Sequence, residues 1–190
     1  TRLTLTQAQE LSSVRVKNIL DSFGYSEQQI STGQLEVQVQ PSTDTVLAAL
    51  RAVELAENGT FFIAADGKAT FRDRNFRLTN TTTPAATFGQ GVGELNYVDI
   101  KSSFDDDKIV NTVQRTRTGG SKQTAVSSDS VDRFGSNVLT QSGTLNVSDA
   151  NVLSIAEQLV VANDIPQTRI ESLSFTPKAN TSLWTKALGL

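Results

Sequence analysis

Asn58-Gly59 closes an apolar helical run, and Thr60 to Arg74 behind it reads as a tight β-hairpin. Phe61, Phe62 and Ile63 form a β-prone stretch, and Ala69, Phe71 and Asp73 carry the alternation back. Between them Asp66-Gly67 predicts a two-residue turn, because both positions tolerate positive φ. A helix that ends directly in a hairpin commits this part of the chain to mixed α and β structure. The segment holds no catalytic group, which points to an architectural protein.

Composition agrees. A chain of 190 residues, 37% hydrophobic and 19% charged, can bury a sizeable core in one large or two small domains. A formal charge of −3 gives no electrostatic reason to expect binding to nucleic acid or to an anionic membrane surface. No window approaches the roughly 18 apolar residues of a membrane-spanning helix, and no signal peptide opens the chain. It begins at Thr1 and contains no Met, and so reads as a fragment or a processed product. Cys and His are both absent, which removes disulfides, thiol nucleophiles, ordinary zinc sites and Ser-His-Asp triads.

The elements follow from spacing. A first helix is expected from an N-cap at Thr6, with Gln9 completing a capping box, through Val16, Ile19, Leu20 and Phe23 to Gly24. Leu35 to Gln40 alternates as a half-buried strand stopped by Pro41. A second helix, entered through Ser42-Thr43-Asp44, buries Val46, Leu47, Leu50, Val53 and Ala56. Asn80 to Gly93 is rich in turn formers and reads as a long loop or linker. It divides a helix-strand-helix-hairpin subdomain, 1–79, from a strand-rich subdomain with one long helix, 94–190.

In the second part, Leu95 to Phe104, Ile109 to Arg117 and Lys122 to Ser127 read as strands, the last two joined across Thr118-Gly119-Gly120-Ser121. A short helical turn over Ser128 to Phe134 and a strand over Val138 to Leu145 follow. Ser148 caps a third helix that carries Val152, Ile155, Ala156, Leu159 and Val160 on one face and runs to about Ala162. Thr168 to Phe175 is the last strand. The fold class is α+β, strand-rich, with β-hairpins and about three amphipathic helices.

No constellation amounts to a site. Asp105-Asp106-Asp107 lacks the calcium-loop pattern and reads as a solvated turn. Gly89 to Gly93 lacks the Lys-Ser/Thr of a phosphate loop and reads as a flexible linker. Glu54 with Glu57, and Asp129 with Asp132, read as helix surface charges. Arg72, Arg74, Arg77, Arg115 and Arg117 read as outward-facing strand charges that discourage edge pairing. Asn-X-Ser/Thr patterns at Asn58, Asn80, Asn146 and Asn180 are about what chance supplies in so Ser- and Thr-rich a chain. No catalytic, cofactor-binding or metal-binding residue is assigned, and no cofactor.

The order of segments carries a resemblance. Val14 to Tyr25, Ile30 to Gly33, Val46 to Glu54, and Gly59 to Gly67 with Phe71 to Arg74 resemble the minor tail or tail-hub proteins of long-tailed bacteriophages, especially those infecting actinobacteria. Phe104 to Val113, Ser130 to Gly135, the helix after Asp149 and Pro166 to Pro177 continue it over most of the chain. The resemblance implies a non-enzymatic component of the tail tip, in a hub or baseplate-like assembly. It implies tail-tube-like barrel elements with a helical insertion. As partners it implies further copies of the chain in a homotrimer, the distal tail protein and the tape measure. It places the protein in the virion, with roles in host attachment or closure of the DNA channel. Other readings are a carbohydrate- or receptor-binding module using Tyr25, Tyr97 and Trp184, and a carboxylate-dependent cell-wall hydrolase.

Overall fold

The computed structural model describes residues 6–41, 45–76, 87–92, 94–104 and 108–176. In chain order these form β1 (Thr6–Gln7), β2 (Glu10–Leu11), α1 (Ser12–Ser22), β3 (Gln28–Ile30), β4 (Glu36–Val37), β5 (Gln40–Pro41), α2 (Val46–Glu57), β6 (Thr60–Ile63) and β7 (Ala69–Arg72). After them come β8 (Asp99–Phe104), β9 (Thr112–Arg117), β10 (Gln123–Val126), α3 (Ser128–Phe134), β11 (Val138–Thr144), α4 (Asp149–Asn163) and β12 (Thr168–Ser174). The fold is α+β and strand-rich, with no closed barrel among the described residues.

The N-terminus departs from the spacing argument. Thr6 does not cap a helix; Thr6–Gln7 and Glu10–Leu11 are strands, and α1 starts at Ser12 with no side-chain cap bond. The two short strand pairs share one antiparallel register, Thr6 with Pro41, Gln7 with Gln40, Glu10 with Val37 and Leu11 with Glu36. They are one ladder with a gap. Arg15 fills it: its guanidinium, fully buried, donates to the carbonyls of Ala8 and, at 3.2 Å, of Gln38, while its Nε pairs with Glu10 at 2.6 Å. The Gln38 N–H turns away to the Leu145 carbonyl at 2.8 Å. Pro41 therefore does not stop a strand; it lies in one, where Thr6 partners it.

At the other end of α1 the expected glycine stop is present. Gly24 has φ +70°, its N–H donates to the Asp21 carbonyl, and the Tyr25 N–H donates to the Leu20 carbonyl, which satisfies two orphan carbonyls of the last turn.

Helix α2 is capped by Thr45, whose hydroxyl accepts from the Ala48 N–H at 3.3 Å, and ends at Asn58 with φ 57°. Ala49, Leu50, Val53 and Ala56 are buried, but Leu47, expected inside, is 58% exposed. The hairpin β6–β7 forms as expected, with Phe61 opposite Phe71. Its turn differs: only Gly67 takes positive φ, at +85°, and Ala64 to Gly67 closes by the Gly67 N–H to the Ala64 carbonyl. A three-residue loop with glycine in the left-handed position results. Strand β3, not foreseen, joins parallel to β7 and gives the order β3-β7-β6. Val16, Ile19 and Leu20 of α1, the buried face of α2, and Phe61 and Phe71 form the main core.

The β9–β10 hairpin, α3, β11 and α4 lie close to their sequence expectations. Strand β11 runs parallel to β9, giving the order β10-β9-β11, and Val113, Ala125, Ala156 and Val160 form a second cluster under α4. The Ser148 hydroxyl caps α4 by accepting from the Asn151 N–H at 3.2 Å.

Leu145 and Ile155 belong to the main core, and Leu159 packs on both clusters. Two buried donors reinforce this junction at the C-terminal end of α2. Arg115 of β9 donates to the Leu55 carbonyl at 2.7 Å, and Asn146 donates to the Ala56 carbonyl at 3.0 Å. Helix-end carbonyls without an intrahelical donor, carrying the negative end of the dipole, suit a guanidinium.

Candidate functional site

Two features stand out from the body. The first is the ribbon of β8 and β12, an antiparallel pair to which no third strand is added among the described residues. A bulge lies between Ile170 and Ser172, so Glu171 has no partner on β8. Its consequence is geometric. Ile170 and Leu173, three apart in sequence, would fall on opposite faces of a regular strand; the extra residue places them opposite Ser102 and Ile100, on one face. Phe104 shares that face, because it lies two residues from Ser102. The other face carries Asp99, Lys101, Ser103, Arg169, Ser172 and Ser174. The ribbon is thus amphipathic, yet its apolar side is open, with Phe104 70%, Ile170 64% and Ile100 43% exposed. Just past the end of β12, the Phe175 ring meets that of Phe88 at 5.7 Å.

The second feature is a cleft of about 900 Å³ on the outer face of β6–β7, walled on one side by α4. Helix α4 presents Ser154, Glu157, Gln158, Val161 and Ala162 to it, a spacing that defines one helical face beside the buried one. The strands present Thr60, Phe62 and Arg72, and the turn after β7 presents Arg74. The Arg72 guanidinium carbon lies 5.1 Å from the Phe62 ring centre and 4.3 Å from that of Phe76.

The carboxylate pairs are engaged in structure. Glu54 accepts from the Phe61 N–H at 2.9 Å and pairs with Arg51. Glu57, read from sequence as a surface charge, is fully buried; it accepts from the Ser12 hydroxyl at 2.7 Å and the Gln34 N–H at 3.1 Å. Burial pushes its carboxyl up from the ordinary glutamate value, against the hydrogen bonds that hold it down. Asp129 and Asp132 are exposed on α3. Among the described residues no group of three or more acidic side chains could hold a metal ion.

Arg115 is not outward-facing either. It is fully buried, and desolvation lowers its guanidinium to about 10. Arg117 is half-buried and pairs with Asp149 at 2.6 Å, the carboxylate that also accepts from the Ser121 N–H. Asn146 is buried and bonded, so its glycosylation pattern is structural. Tyr25 donates to the Gly67 carbonyl at 2.5 Å, bracing the hairpin turn. Arg77, Asn80, Asp105-Asp106-Asp107, Asn180 and Trp184 lie outside the described residues. Sequence reasoning passed over both standing features, although the apolar residues of β8 and β12 were visible in it; the bulge that aligns them was not.

No family model matches the chain, and no curated protein matches it in sequence. Solved structures do match. A prophage tail protein of Listeria monocytogenes EGD-e shares 13% identity with a TM-score of 0.53, covering 88% of this chain and 52% of that one. A protein in the virion of a native gene transfer agent particle shares 17% identity with a TM-score of 0.55, covering 81% of this chain and 35% of that one. A tail protein of Neisseria meningitidis MC58 gives 10% identity and a TM-score of 0.48, over 80% of this chain and 45% of that one. The chain therefore spans about half or less of the proteins it matches, and the fold it shares is one found in phage tail proteins.

Proposed function

We propose that this chain is a structural, non-enzymatic part of a phage tail tip, in a hub or baseplate-like ring, assembled with copies of itself as a homotrimer. The observation that carries the reading is the amphipathic ribbon on a fold shared with tail proteins. A two-stranded ribbon is marginal alone in water, and an open apolar face of this kind calls for a cover. Neighbouring copies in a ring supply one, since each offers the same surface to the next. The distal tail protein and the tape measure are the further neighbours in this reading, and host attachment or closure of the DNA channel its role. The tail-tip position and the actinobacterial lineage rest on the sequence resemblance.

The test is an image reconstruction of the native particle that locates this chain. The expected result is a closed ring of copies at the distal end of the tail, with β8 and β12 at the contact between copies. Location in the capsid or along the tube wall, or a ribbon facing solvent in the assembled tail, overturns it. So does turnover of a cell-wall polymer abolished by Asp129→Asn with Asp132→Asn, since both carboxylates are exposed and the exchange leaves the body folded.

A further inference from the structure

The cleft between β7 and α4 has no part in that reading, and its chemistry is unusual for a surface hollow. Arg72 ends β7 and Arg74 lies in the turn that follows, and both line the cleft. Among the described residues neither has a carboxylate within 4 Å. Nearby Asp73 is already engaged, accepting from the Gln34 side chain at 3.1 Å and from the Asn75 N–H at 3.1 Å. Arg74 feels the Glu57 charge only across a longer gap, and its Nε–H is buried with no acceptor. A buried donor left unmade costs free energy that an incoming acceptor would recover.

Arg72 is held differently. With Phe62 and Phe76 both within stacking range, its planar guanidinium is restrained and its N–H edge is left for acceptors. A restrained fork of this kind suits the two oxygens of a carboxylate or phosphate. The remaining walls divide by polarity. Val161, Ala162 and the Phe62 ring give an apolar side, and Ser154 and Gln158 give neutral hydrogen-bonding groups. Glu157 on α4 is the one carboxylate at the rim not already bonded by a described residue. The volume, about 900 Å³, falls within the range of about 300 to 1,000 Å³ that small-ligand sites occupy.

We propose that this cleft binds a small ligand bearing an oxyanion, with Arg72 and Arg74 holding a carboxylate or phosphate group and Phe62, Val161 and Ala162 covering the body attached to it. The two sources of the anion are separated by the probes. Benzoate and phenyl phosphate are titrated into the full chain, followed by amide chemical shifts, with benzyl alcohol as the neutral counterpart of the same ring.

Saturable shifts at residues of β7 and α4 are expected for at least one anionic probe and not for benzyl alcohol. Preference between benzoate and phenyl phosphate assigns the source. Arg72→Gln and Arg74→Gln should each weaken binding about tenfold or more, the effect of losing a charged hydrogen bond. Arg72→Lys, which keeps the charge and loses the fork, should also weaken it. Glu157→Gln lies on an exposed helical face and does not threaten folding; it should tighten binding about two- to threefold by removing a repelling charge. Absence of saturable shifts with both anions at about 10 mM, equal binding of benzyl alcohol, or an affinity unchanged by both arginine replacements and by Glu157→Gln overturns the site.

Discussion

Three fully buried charged side chains, Arg15, Glu57 and Arg115, hold this molecule together at points where backbone groups lack partners. Arg15 supplies the donors that the broken ladder cannot, so its replacement exposes their need. Arg15→Met keeps much of the volume but strands the Ala8 and Gln38 carbonyls and leaves Glu10 only its bond from Asn18; a loss of about 3 kcal/mol in urea unfolding is expected. A loss under about 1 kcal/mol would mean that the gap is closed some other way.

Glu57 works in the opposite sense. Its folded-state pKa is raised by burial, so the ionised form opposes folding, and stability is gained as pH falls through that raised value toward the ordinary 4.5. Glu57→Gln removes this dependence. Wild type should therefore gain on the variant as pH falls from about 7 to about 4.5, and parallel profiles would refute the assignment. The lowered carboxyls of Asp149, held by the Ser121 N–H and Arg117, and of Asp21, held by Lys17 and Gln28, have the contrary sign; their contribution is lost only below the ordinary aspartate value of 3.8. None of the three buried charges was legible beforehand. An Arg in an amphipathic helix and a Glu at a helix end are ordinary surface residues until the fold shows which carbonyls they meet.

Among the elements, β6 shows how an open sheet edge is managed. It pairs with β7 on one side only, and the Phe61 N–H and carbonyl, turned away from β7, meet side chains of α2. Glu54 accepts the N–H at 2.9 Å and Arg51 reaches the carbonyl at 3.4 Å, with the two side chains paired to each other. This blocks strand addition at the position most open to it. Glu54→Ala should cost about 1 to 2 kcal/mol and speed aggregation on mild heating, followed by light scattering. Arg51→Ala, which removes the longer and more exposed bond, should do less on both measures; equal effects would show that the ion pair, and not the cover over Phe61, matters.

The periodic elements themselves were readable. Val152, Ile155, Ala156 and Val160 line the buried face of α4, and Ser128–Phe134 forms the short helix expected. Two-residue strands were not, because a ladder so short leaves no alternation to read. Thr6 and Gln9 supplied a capping pattern that the pairing with β4 and β5 outcompeted.

At the scale of the whole molecule the question is why an apolar ribbon face is maintained outside the two buried clusters gathered under α1, α2 and α4. The face exists only through the bulge, since Ile170 and Leu173 align across an odd interval. Serine replacements on that face test what it is for and leave the bulge in place. Deletion of Glu171 would leave Ile170 and Leu173 an even interval apart and keep the stripe, whereas Ile100→Ser with Ile170→Ser removes two apolar side chains from it and alters neither the register nor the polar face. The cores under α1 and α4 make no use of the ribbon, so the unfolding midpoint should change little. In particles, measured by mass spectrometry of purified tails, the double-serine variant should be made and folded yet missing from the tail. Arg169→Ser, on the polar face of the same strand, should be incorporated normally. Normal incorporation of the double-serine variant would separate the ribbon from assembly, and equal loss with Arg169→Ser would show that the strand as such, rather than its apolar face, is what the neighbouring copy requires.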